Sequence, residues 1–362
     1  MQPVETPVAP RRQHNGVPAG LDHEQLAVVR GERSGATMAI AVHSTKLGPS
    51  LGGVRLWHYD SDDAAVADAL RLAGAMTLKA AAAGLGLGGG KGVVRLPAPE
   101  PPTGAAREQL LFDFGDLVES LGGRYVTAED VGTGAGDMVA IATRTTHVTG
   151  LPPELGGSGD PSPFTAIGVQ AAMRAACSHA LGSRGLGGRT VAIVGVGHVG
   201  EHLARGLAAV GAELILADVH PSKRTLAGEL GARWLNPEDA LVAECDVLAP
   251  CAVGGAITAA TAAELRCQVV CGAANNQLAD ERLAGRLAER GIVYAPDFIA
   301  NAGGLINVYR ELRAYDEERA RTLALGIEQT MARVLETANE RGITPLEAAS
   351  EVARERLDGA RR

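Results

Sequence analysis

Apolar and polar positions change their spacing along the first half of the chain, which predicts a mixture of strands and helices. Residues 35–60 alternate apolar and polar side chains between glycine-rich breaks, the pattern of β-strands. Residues 62–83 and 105–121 repeat apolar side chains at helical spacing, and residues 97–102 form a proline-rich loop between them. A further helix, rich in small residues, is predicted over about 164–181.

The second half of the chain alternates short apolar runs with helical segments. These runs begin at Thr190, Glu213, Asp246, Gln268 and Ile292. Such alternation indicates βαβ units and therefore a parallel sheet. Near the end of the chain, Thr344-Pro-Leu-Glu347 has the pattern of a capping box with proline at the first helical position, which predicts the start of another helix.

The run that begins at Thr190 leads into a glycine motif of the form G-x-G-x-x-G. The motif consists of Gly195, Gly197 and Gly200, with Val199 in the same turn. Placed between a strand and a helix, such glycines allow a tight turn, the approach of a pyrophosphate and close packing of helix on strand. The helix N-terminus supplies N–H groups for the phosphates. The sequence therefore predicts a dinucleotide site, the alternative being a turn with only a packing role.

Asp218 ends the next strand, about 20 residues after the motif, where a carboxylate can accept from the ribose hydroxyls. A carboxylate at this position would repel a 2′-phosphate, which favours NAD over NADP. Lys223 and Arg224 follow closely and leave NADP open.

Two histidines beside the motif resemble a zinc site. His198, Glu201 and His202 match the zinc-peptidase pattern H-x-x-E-H. Gly200 would then have to serve both a dinucleotide turn and the middle of a zinc-binding helix, which is unfavourable for glycine. We therefore expect no metal.

The order of the elements predicts an α/β protein of two domains with a cleft between them. Residues 21–150 should form an N-terminal α/β substrate domain, rejoined by C-terminal helices over residues 326–362. Residues 151–325 should form a Rossmann-type doubly wound NAD-binding domain. Residues 1–20 are predicted to be a disordered tail. A chain of 362 residues is long enough for this arrangement.

Composition excludes several classes of partner. The formal net charge of −8 argues against nucleic acid or an anionic membrane surface. No apolar run reaches the roughly 20 residues that span a bilayer, and the N-terminus does not resemble a signal peptide. The five cysteines are odd in number and never spaced C-x-x-C, so neither a disulfide framework nor a zinc ribbon is expected. The expected compartment is the cytoplasm.

A lysine stands in a run of small residues at positions 82–92. A phosphate-binding P-loop containing Gly90-Lys91 would need glycine at position 85 and a hydroxyl residue at position 92. The chain has Leu85 and Gly92 there, so the run is not a P-loop. A second lysine, Lys79, precedes Lys91 by twelve residues. The run is predicted to be a glycine-rich loop that carries Lys91.

From residue 51 to residue 308 the chain resembles the Glu/Leu/Phe/Val dehydrogenase family. The resemblance is carried by Leu51-Gly-Gly-Val-Arg55, by the paired lysines, by Gly123–Gly132 with Asp130 inside it, and by segments 249–252, 273–277, 294–297 and 301–308. It implies the NAD-dependent oxidative deamination of an L-amino acid to a 2-oxo acid, ammonium and NADH, the reverse reaction, and a symmetric homo-oligomer.

The resemblance also implies roles for individual residues. Lys79 matches the lysine that binds the substrate carboxylate, Lys91 the catalytic lysine and Asp130 the catalytic aspartate. A neutral amine can take the proton of the water that attacks the substrate iminium, so the pKa of Lys91 must fall from about 10.4. Burial and the charge of Lys79 would lower that pKa, and Asp130 would oppose this. The small residues around Lys91 would leave room for substrate and nicotinamide. Solvated lysines, or a purely structural ion pair with Asp130, are the alternatives.

Two further residues match cofactor contacts of the family. Thr165 matches a threonine that meets the nicotinamide amide, and the alternative is an ordinary residue of a helix N-terminus. Asn275 matches an asparagine near the nicotinamide ribose and the substrate, and the alternative is an asparagine that caps a loop.

The substrate side chain is expected to be apolar. Leu51, followed by Gly52 and Gly53, stands where glutamate-specific relatives have lysine, and Val308 stands where they have serine. A carboxylate buried against these side chains would be unfavourable. Phenylalanine-type relatives have smaller residues at two positions, which here are Ala128 and Leu305. Leucine, valine or isoleucine is therefore the expected substrate.

Phenylalanine remains the alternative substrate, because segments 72–79 and 294–304 look more like phenylalanine dehydrogenases. Leu305 also replaces the valine that is usual in branched-chain relatives. A non-catalytic NAD-binding regulator is a further alternative, although intact Lys79, Lys91 and Asp130 argue against it.

Overall fold

The computed structural model describes residues 22–313 and 315–360, so the predicted tail of residues 1–20 lies outside the described residues. Contacts divide the chain into two compact units. The first unit contains residues 22–77 together with Gly88–Val148, and the second contains Leu78–Leu87 together with residues 149–313 and 315–360.

The first unit is built on a five-stranded mixed sheet. Its strands are β1 (Gln25–Arg30), β2 (Thr37–Ser44), β3 (Ser50–His58), β4 (Gly88–Leu96) and β5 (Tyr125–Glu129). They lie in the order β1-β2-β4-β3-β5. Strand β2 pairs antiparallel with β1 and β4, whereas β3 pairs parallel with β4 and β5. Three helices accompany the sheet: α1 (Asp62–Ala82), α2 (Gly104–Glu119) and α3 (Ala135–Ala142).

Helix α1 packs closely on one face of this sheet through a row of alanines. Ala65, Ala69 and Ala73 recur every four residues, so they share one side of the helix. They form a buried cluster with apolar residues of β1, β2 and β4, among them Val93. Phe114 of α2 is fully buried and lies against β4 at Gly92.

The run around Lys91 is not the predicted loop, because Gly88–Leu96 forms strand β4 inside the sheet. A Cβ at Gly89 would lie 2.1 Å from the backbone nitrogen of Thr77 in α1. A Cβ at Gly92 would lie 2.5 Å from the Phe114 ring. The glycines are therefore needed for the helices to pack on the strand. Glycine is a weak strand former, which hid this strand in the sequence.

The second unit contains a six-stranded parallel sheet, as predicted. Its strands are β6 (Thr190–Val194), β7 (Glu213–Ala217), β8 (Arg233–Trp234), β9 (Val247–Pro250), β10 (Val269–Val270) and β11 (Val293–Tyr294). Their order is β11-β10-β9-β6-β7-β8, and every pairing is parallel. This is the doubly wound Rossmann order. Successive strands are added outward from β6 to β8 on one side and from β9 to β11 on the other, so the switch point of the sheet lies between β6 and β9.

Helices cover the rest of the second unit. They are α4 (Ser162–Leu181), α5 (His198–Ala209), α6 (Arg224–Leu230), α7 (Pro237–Leu241), α8 (Ala259–Glu264), α9 (Leu283–Glu289), α10 (Asp297–Ala300), α11 (Gly303–Glu311), α12 (Glu317–Leu325), α13 (Ile327–Arg341) and α14 (Pro345–Gly359). The predicted capping box at the start of α14 is confirmed, with Glu347 N donating to Thr344 Oγ1 at 3.3 Å and Thr344 N donating to Glu347 Oε2 at 2.8 Å. None of the helices in the described ranges is long and apolar enough to cross a membrane.

The C-terminal helices belong to the second unit by their contacts, whereas we expected them to rejoin the first. Helix α13 packs on α4, where Gly168 leaves room for Ile327, and α14 contacts β11. Arg356 of α14 donates to the carbonyls of Ala81, Gly84 and Leu85, within the short segment 78–87 that the second unit includes. These bonds tie α14 to the C-terminal end of α1 and to the turn that follows it.

Candidate active site

Lys91 lies in β4 on the face that packs against α1, and it is almost completely buried, with 4% of its surface exposed. Its Nζ lies 2.9 Å from Oδ1 of Asp130, the residue that follows β5. Strands β4 and β5 both pair with β3, which brings the two residues to neighbouring positions. The structure thus joins the two predicted catalytic residues in one ion pair.

Arg55 of β3 extends this pair into a chain of charges. Its Nε donates to Asp130 Oδ2 at 2.9 Å, and its Nη1 donates to Asp68 Oδ2 at 3.0 Å. Asp68 also accepts from the Tyr59 hydroxyl at 2.7 Å and from Arg71 Nη2 at 2.7 Å. Each oxygen of Asp130 therefore has its own cationic partner, and Arg55 holds the carboxylate facing Lys91.

Burial lowers the pKa of Lys91 below its usual value, and the positive charge of Arg55 lowers it further, against the opposing effect of Asp130. The sequence predicted no such role for Arg55 and indicated a like-charge effect from Lys79 instead. Burial alone would raise the pKa of Asp130, but Lys91 and Arg55 outweigh it and the pKa is lowered. Once the Lys91 amine is neutral, the guanidiniums of Arg55 and Arg71 balance the carboxylates of Asp130 and Asp68.

The turn that carries Asp130 is fastened to β3. The backbone N–H of Asp130 donates to Thr133 Oγ1 at 2.8 Å, and that hydroxyl lies 3.0 Å from the carbonyl of Val54. The N–H of Leu56 donates to the carbonyl of Val131 at 3.0 Å. These bonds place the carboxylate before any substrate binds.

Gly52 and Gly53 lie in the middle of β3, beside the Lys91 region of β4. The pairing of β3 with β4 places Leu51 opposite Gly89 and resumes with Val54 opposite Gly92. A Cβ at Gly52 would lie 1.8 Å from the carbonyl oxygen of Gly90, so only glycine fits.

Close backbone contacts also leave no room for a side chain at Gly53, and the residues around the two glycines are buried. A Cβ at Gly53 would lie 2.3 Å from the carbonyl oxygen of Glu129. The Tyr125 hydroxyl donates to the carbonyl of Gly52. Leu51 and Ala128 beside these glycines are 2% and 7% exposed, so this part of the first unit is apolar.

The glycine motif of the second unit has the geometry of a dinucleotide-binding turn. Gly195 follows β6 with φ +101°, and a Cβ at Gly200 would lie 2.0 Å from the carbonyl oxygen of Gly195. Gly197 is the N-cap of α5, and a Cβ built there meets no atom within 4 Å. Val199 is partly buried in the first turn of α5. The open backbone at Gly197 is where a pyrophosphate could approach.

Asp218 holds this turn in place at the end of β7. Its Oδ2 accepts from Val196 N at 2.9 Å, and its Oδ1 accepts from His220 N at 2.9 Å. A carboxylate oxygen can accept more than one hydrogen bond, so ribose hydroxyls still have acceptors here. Among the described residues, the H-x-x-E-H histidines His198 and His202 are not brought together with a third metal ligand.

Lys79 and Asn275 are two further predicted site residues that belong to the second unit. Lys79, in the last turn of α1, acts electrostatically on Asp297, which is 8% exposed. Burial raises the pKa of Asp297, against the opposing effects of the Gln277 N–H and of Lys79. Asn275 accepts from Asn301 Nδ2 at 2.9 Å, which orients its amide.

Three more predicted site residues, Leu305, Val308 and Thr165, lie in helices of the second unit. Leu305 and Val308 lie on α11 and are 7% and 6% exposed. Thr165 lies in the first turn of α4 and donates to the carbonyl of Pro161 at 3.1 Å.

Two family models match the chain and together cover most of it. Residues 23–147 match the model described as Glu/Leu/Phe/Val dehydrogenase, dimerisation domain. Residues 216–362 match the model described as Glutamate/Leucine/Phenylalanine/Valine dehydrogenase. The chain belongs to the Glu/Leu/Phe/Val dehydrogenase family. The resemblance that the sequence motifs indicated is therefore confirmed, and the protein is an amino-acid dehydrogenase with a dinucleotide-binding domain.

Individual relatives of this dehydrogenase are similar over nearly their whole length. Leucine dehydrogenase of Bacillus subtilis is 46% identical over 342 residues, covering 94% of this chain and 93% of the relative. Valine dehydrogenase of Streptomyces coelicolor is 44% identical over 370 residues, covering 96% and 98%. The crystal structure of L-tryptophan dehydrogenase from Nostoc punctiforme superimposes with a TM-score of 0.83 at 36% identity, covering 94% of this chain and 98% of the other.

Arg55 is the residue of this dehydrogenase site that sequence reasoning missed. In the sequence it stands at the end of the motif Leu51-Gly-Gly-Val-Arg55 and has no predicted role of its own. The one local signal is a charged residue inside a strand whose other side chains are mostly buried. Its partners Asp68 and Asp130 are distant in sequence, so their pairing becomes visible only in the folded unit.

Proposed function

We propose that this dehydrogenase oxidises an aliphatic L-amino acid with NAD⁺ to the 2-oxo acid, ammonium and NADH, and catalyses the reverse reductive amination. The observation that carries the proposal is the buried Lys91–Asp130 pair, with Nζ and Oδ1 2.9 Å apart and the pKa of Lys91 lowered. A lysine with a lowered pKa is suited to act as a general base near neutral pH.

The residues of the chain would then manage the protons of the reaction. When bound at the glycine motif, NAD⁺ would supply the acceptor for the hydride that the substrate Cα loses. As water attacks the resulting substrate iminium, the neutral amine of Lys91 takes a proton from the water. Asp130, an ionised carboxylate within hydrogen-bond distance of that amine, would relay this proton from Lys91 to the nitrogen of the resulting carbinolamine. Lys91, neutral again, would take the hydroxyl proton as the C–N bond breaks, and the nitrogen would leave as ammonia, which is protonated in solution. Lys79 is assigned to the substrate carboxylate.

An aliphatic substrate is supported by the apolar residues at the predicted pocket positions. Leu51 and Ala128 of the first unit are buried, as are Leu305 and Val308 of the second, and none of these side chains offers a hydrogen bond or charge to a second carboxylate. The similarity of this chain to leucine and valine dehydrogenases, at 44–46% identity, supports a substrate with a branched side chain. Aromatic amino acids are the second candidate, because L-tryptophan dehydrogenase shares the fold at 36% identity.

A panel of L-amino acids tests the proposed substrate class. With NAD⁺, kcat/KM for leucine, valine or isoleucine should exceed that for glutamate by more than about 100-fold, because a second carboxylate has no partner in an apolar pocket. Initial rates of NADH formation measure this. Phenylalanine and tryptophan belong in the same panel, and preference for either would move the assignment to the aromatic class. Turnover of glutamate above leucine would contradict the proposal.

Asp218 should set the choice of cofactor. Replacing Asp218 with serine removes the charge that repels a 2′-phosphate while keeping a small acceptor for the backbone N–H groups. We expect the ratio of kcat/KM for NADP⁺ over NAD⁺ to rise about 5- to 30-fold, since one lost electrostatic contact changes binding by roughly 1–2 kcal/mol. Kinetics with both cofactors measure the ratio.

The matched control for this experiment is Asp239→Asn, which changes a carboxylate at the start of α7. The control should leave the NADP⁺/NAD⁺ ratio unchanged. An unchanged ratio in Asp218→Ser itself would show that this carboxylate does not select the cofactor.

We also propose a homo-oligomer and a cytoplasmic location. The family model that matches residues 23–147 is described as a dimerisation domain, which supports self-association. All five cysteines are free thiols, as is usual in a reducing compartment.

A further inference from the structure

Three potential metal ligands converge at the start of the first unit. Asp22 and His23 directly precede β1, and His43 lies in β2. Asp22 Oδ1 is 3.5 Å from His23 Nδ1, and Asp22 Oδ2 is 3.4 Å from His43 Nε2. The ligand atoms of all three side chains lie within 4.8 Å of one another. This cluster is separate from the Lys91–Asp130 pair.

The ring of His23 directs a lone pair into the cluster. Its Nε2 lies 2.9 Å from the carbonyl oxygen of Leu70, which can only accept, so Nε2 carries the hydrogen. In the neutral ring Nδ1 is then an acceptor. This Nδ1 is buried without a hydrogen-bond partner, and the His23 side chain is 7% exposed. A buried acceptor with no partner is unfavourable unless something binds it.

The ring of His43 is oriented in the same way. Its Nδ1 lies 2.8 Å from the hydroxyl oxygen of Thr77. Because that hydroxyl donates to the carbonyl of Ala73 at 3.3 Å, its oxygen accepts from His43 Nδ1–H. The Nε2 lone pair then faces Asp22. Histidines that bind metals characteristically hold their second ring nitrogen in such a hydrogen bond.

The spacing of the ligand atoms suits a small tetrahedral ion. Zinc bonds of about 2.0–2.2 Å at tetrahedral angles place ligand atoms roughly 3.3–3.6 Å apart. The separations of 3.5 Å from Asp22 Oδ1 to His23 Nδ1 and of 3.4 Å from Asp22 Oδ2 to His43 Nε2 fall in this range, each from a different oxygen of the carboxylate. The Asp22 side chain is 84% exposed, so the outer side is open to a water as fourth ligand. Imidazole ligands favour zinc and its neighbours over magnesium or calcium.

We propose that Asp22, His23 and His43 bind a divalent transition-metal ion of the zinc type. The ion would join the segment before β1 to β2, and through Leu70 and Thr77 to α1. The expected role is therefore to stabilise the first unit. From the sequence we expected no metal, and the pattern that led to this expectation was the one at His198 and His202. His23 and His43 stand twenty positions apart and form no recognisable metal-ligand spacing.

Zinc titration of the full chain, stripped with a chelator beforehand, tests the proposal. Calorimetry with Zn²⁺ should show one site per chain, and the melting temperature should rise with added Zn²⁺. Asp22→Asn should weaken zinc binding at least about tenfold, since it removes a charged ligand from an exposed position where folding is little affected. Asp63→Asn, another exposed carboxylate of the first unit, is the matched control and should bind zinc like the wild type.

Two more variants distinguish zinc binding at Asp22, His23 and His43 from zinc binding at His198 and His202. Thr77→Val leaves the three ligands in place but removes the acceptor of His43 Nδ1–H, and it should weaken zinc binding about 10–100-fold. The variant His198→Ala/His202→Ala should bind zinc normally. Absence of zinc binding at millimolar concentration, equal affinity in Asp22→Asn and wild type, or loss of binding only in the His198/His202 variant would overturn the proposal.

Discussion

Replacing Lys91 with alanine is expected to lower kcat for oxidative deamination by about 10²–10⁴-fold, the usual contribution of a general base. The reason is that the variant lacks the amine that takes a proton from the attacking water. Asp130 keeps its contact with Arg55, so the carboxylate is not left unpaired and the protein should still fold. Initial rates of NADH formation at saturating amino acid, together with the thermal unfolding of both proteins, measure the effect.

The chain offers a clean control because it contains only four lysines, Lys46, Lys79, Lys91 and Lys223. Lys46→Ala removes an exposed lysine of the same unit and should leave kcat unchanged. Binding of NAD⁺ to Lys91→Ala should also be unchanged, since the glycine motif is intact. A Lys91→Ala enzyme that keeps more than about a tenth of the wild-type kcat would rule out the assigned role.

Replacing Asp130 with asparagine should reduce kcat about 100-fold or more and shift the pH profile. Deamination needs the neutral amine, so kcat/KM rises with pH through the pKa of Lys91. Asp130 raises that pKa, and the isosteric amide cannot. The acidic limb of the profile should therefore move to lower pH in Asp130→Asn. Measuring kcat/KM for leucine at a series of pH values gives the limb.

Arg55→Met provides the opposite test of the same electrostatics. The charge of Arg55 lowers the pKa of Lys91, so its removal should move the acidic limb to higher pH. Arg55→Lys retains the charge and should restore most of the wild-type profile. A merely structural role of Arg55 would reduce activity without moving the limb. Shifts in the same direction for Asp130→Asn and Arg55→Met would contradict the proposed coupling.

Local features of the site could be predicted from the sequence because they depend on short spacings. Gly195, Gly197 and Gly200 lie within six residues of one another, and their roles follow from backbone sterics alone. The capping box at Thr344 and Glu347 is equally local. Lys91 and Asp130 were assigned from family motifs, and the sequence alone could not place them 2.9 Å apart.

The sequence pattern did not predict strand β4, because the composition of this strand is set by the helices that pack on it. Its glycines carry no strand signal, yet Gly89 and Gly92 are needed because Thr77 and Phe114 approach the strand from its two faces. Such approaches are long-range packing, which periodicity within the strand does not record. The role of Arg55 could not be predicted for the same reason, because its partners Asp68 and Asp130 are distant from it in the sequence.

The amino-acid sequence by itself determined the parallel sheet, the dinucleotide turn and the family, because these rest on periodicity and on motifs that are contiguous in the chain. Only the tertiary structure decided how Arg55, Asp68, Lys91 and Asp130 share their charges, since these residues come from different strands and a helix. It also decided that His23, just before β1, and His43 of β2 lie with their ring centroids 4.7 Å apart. Burial and neighbouring charges set the pKa of a side chain, and both are created only when distant segments pack together.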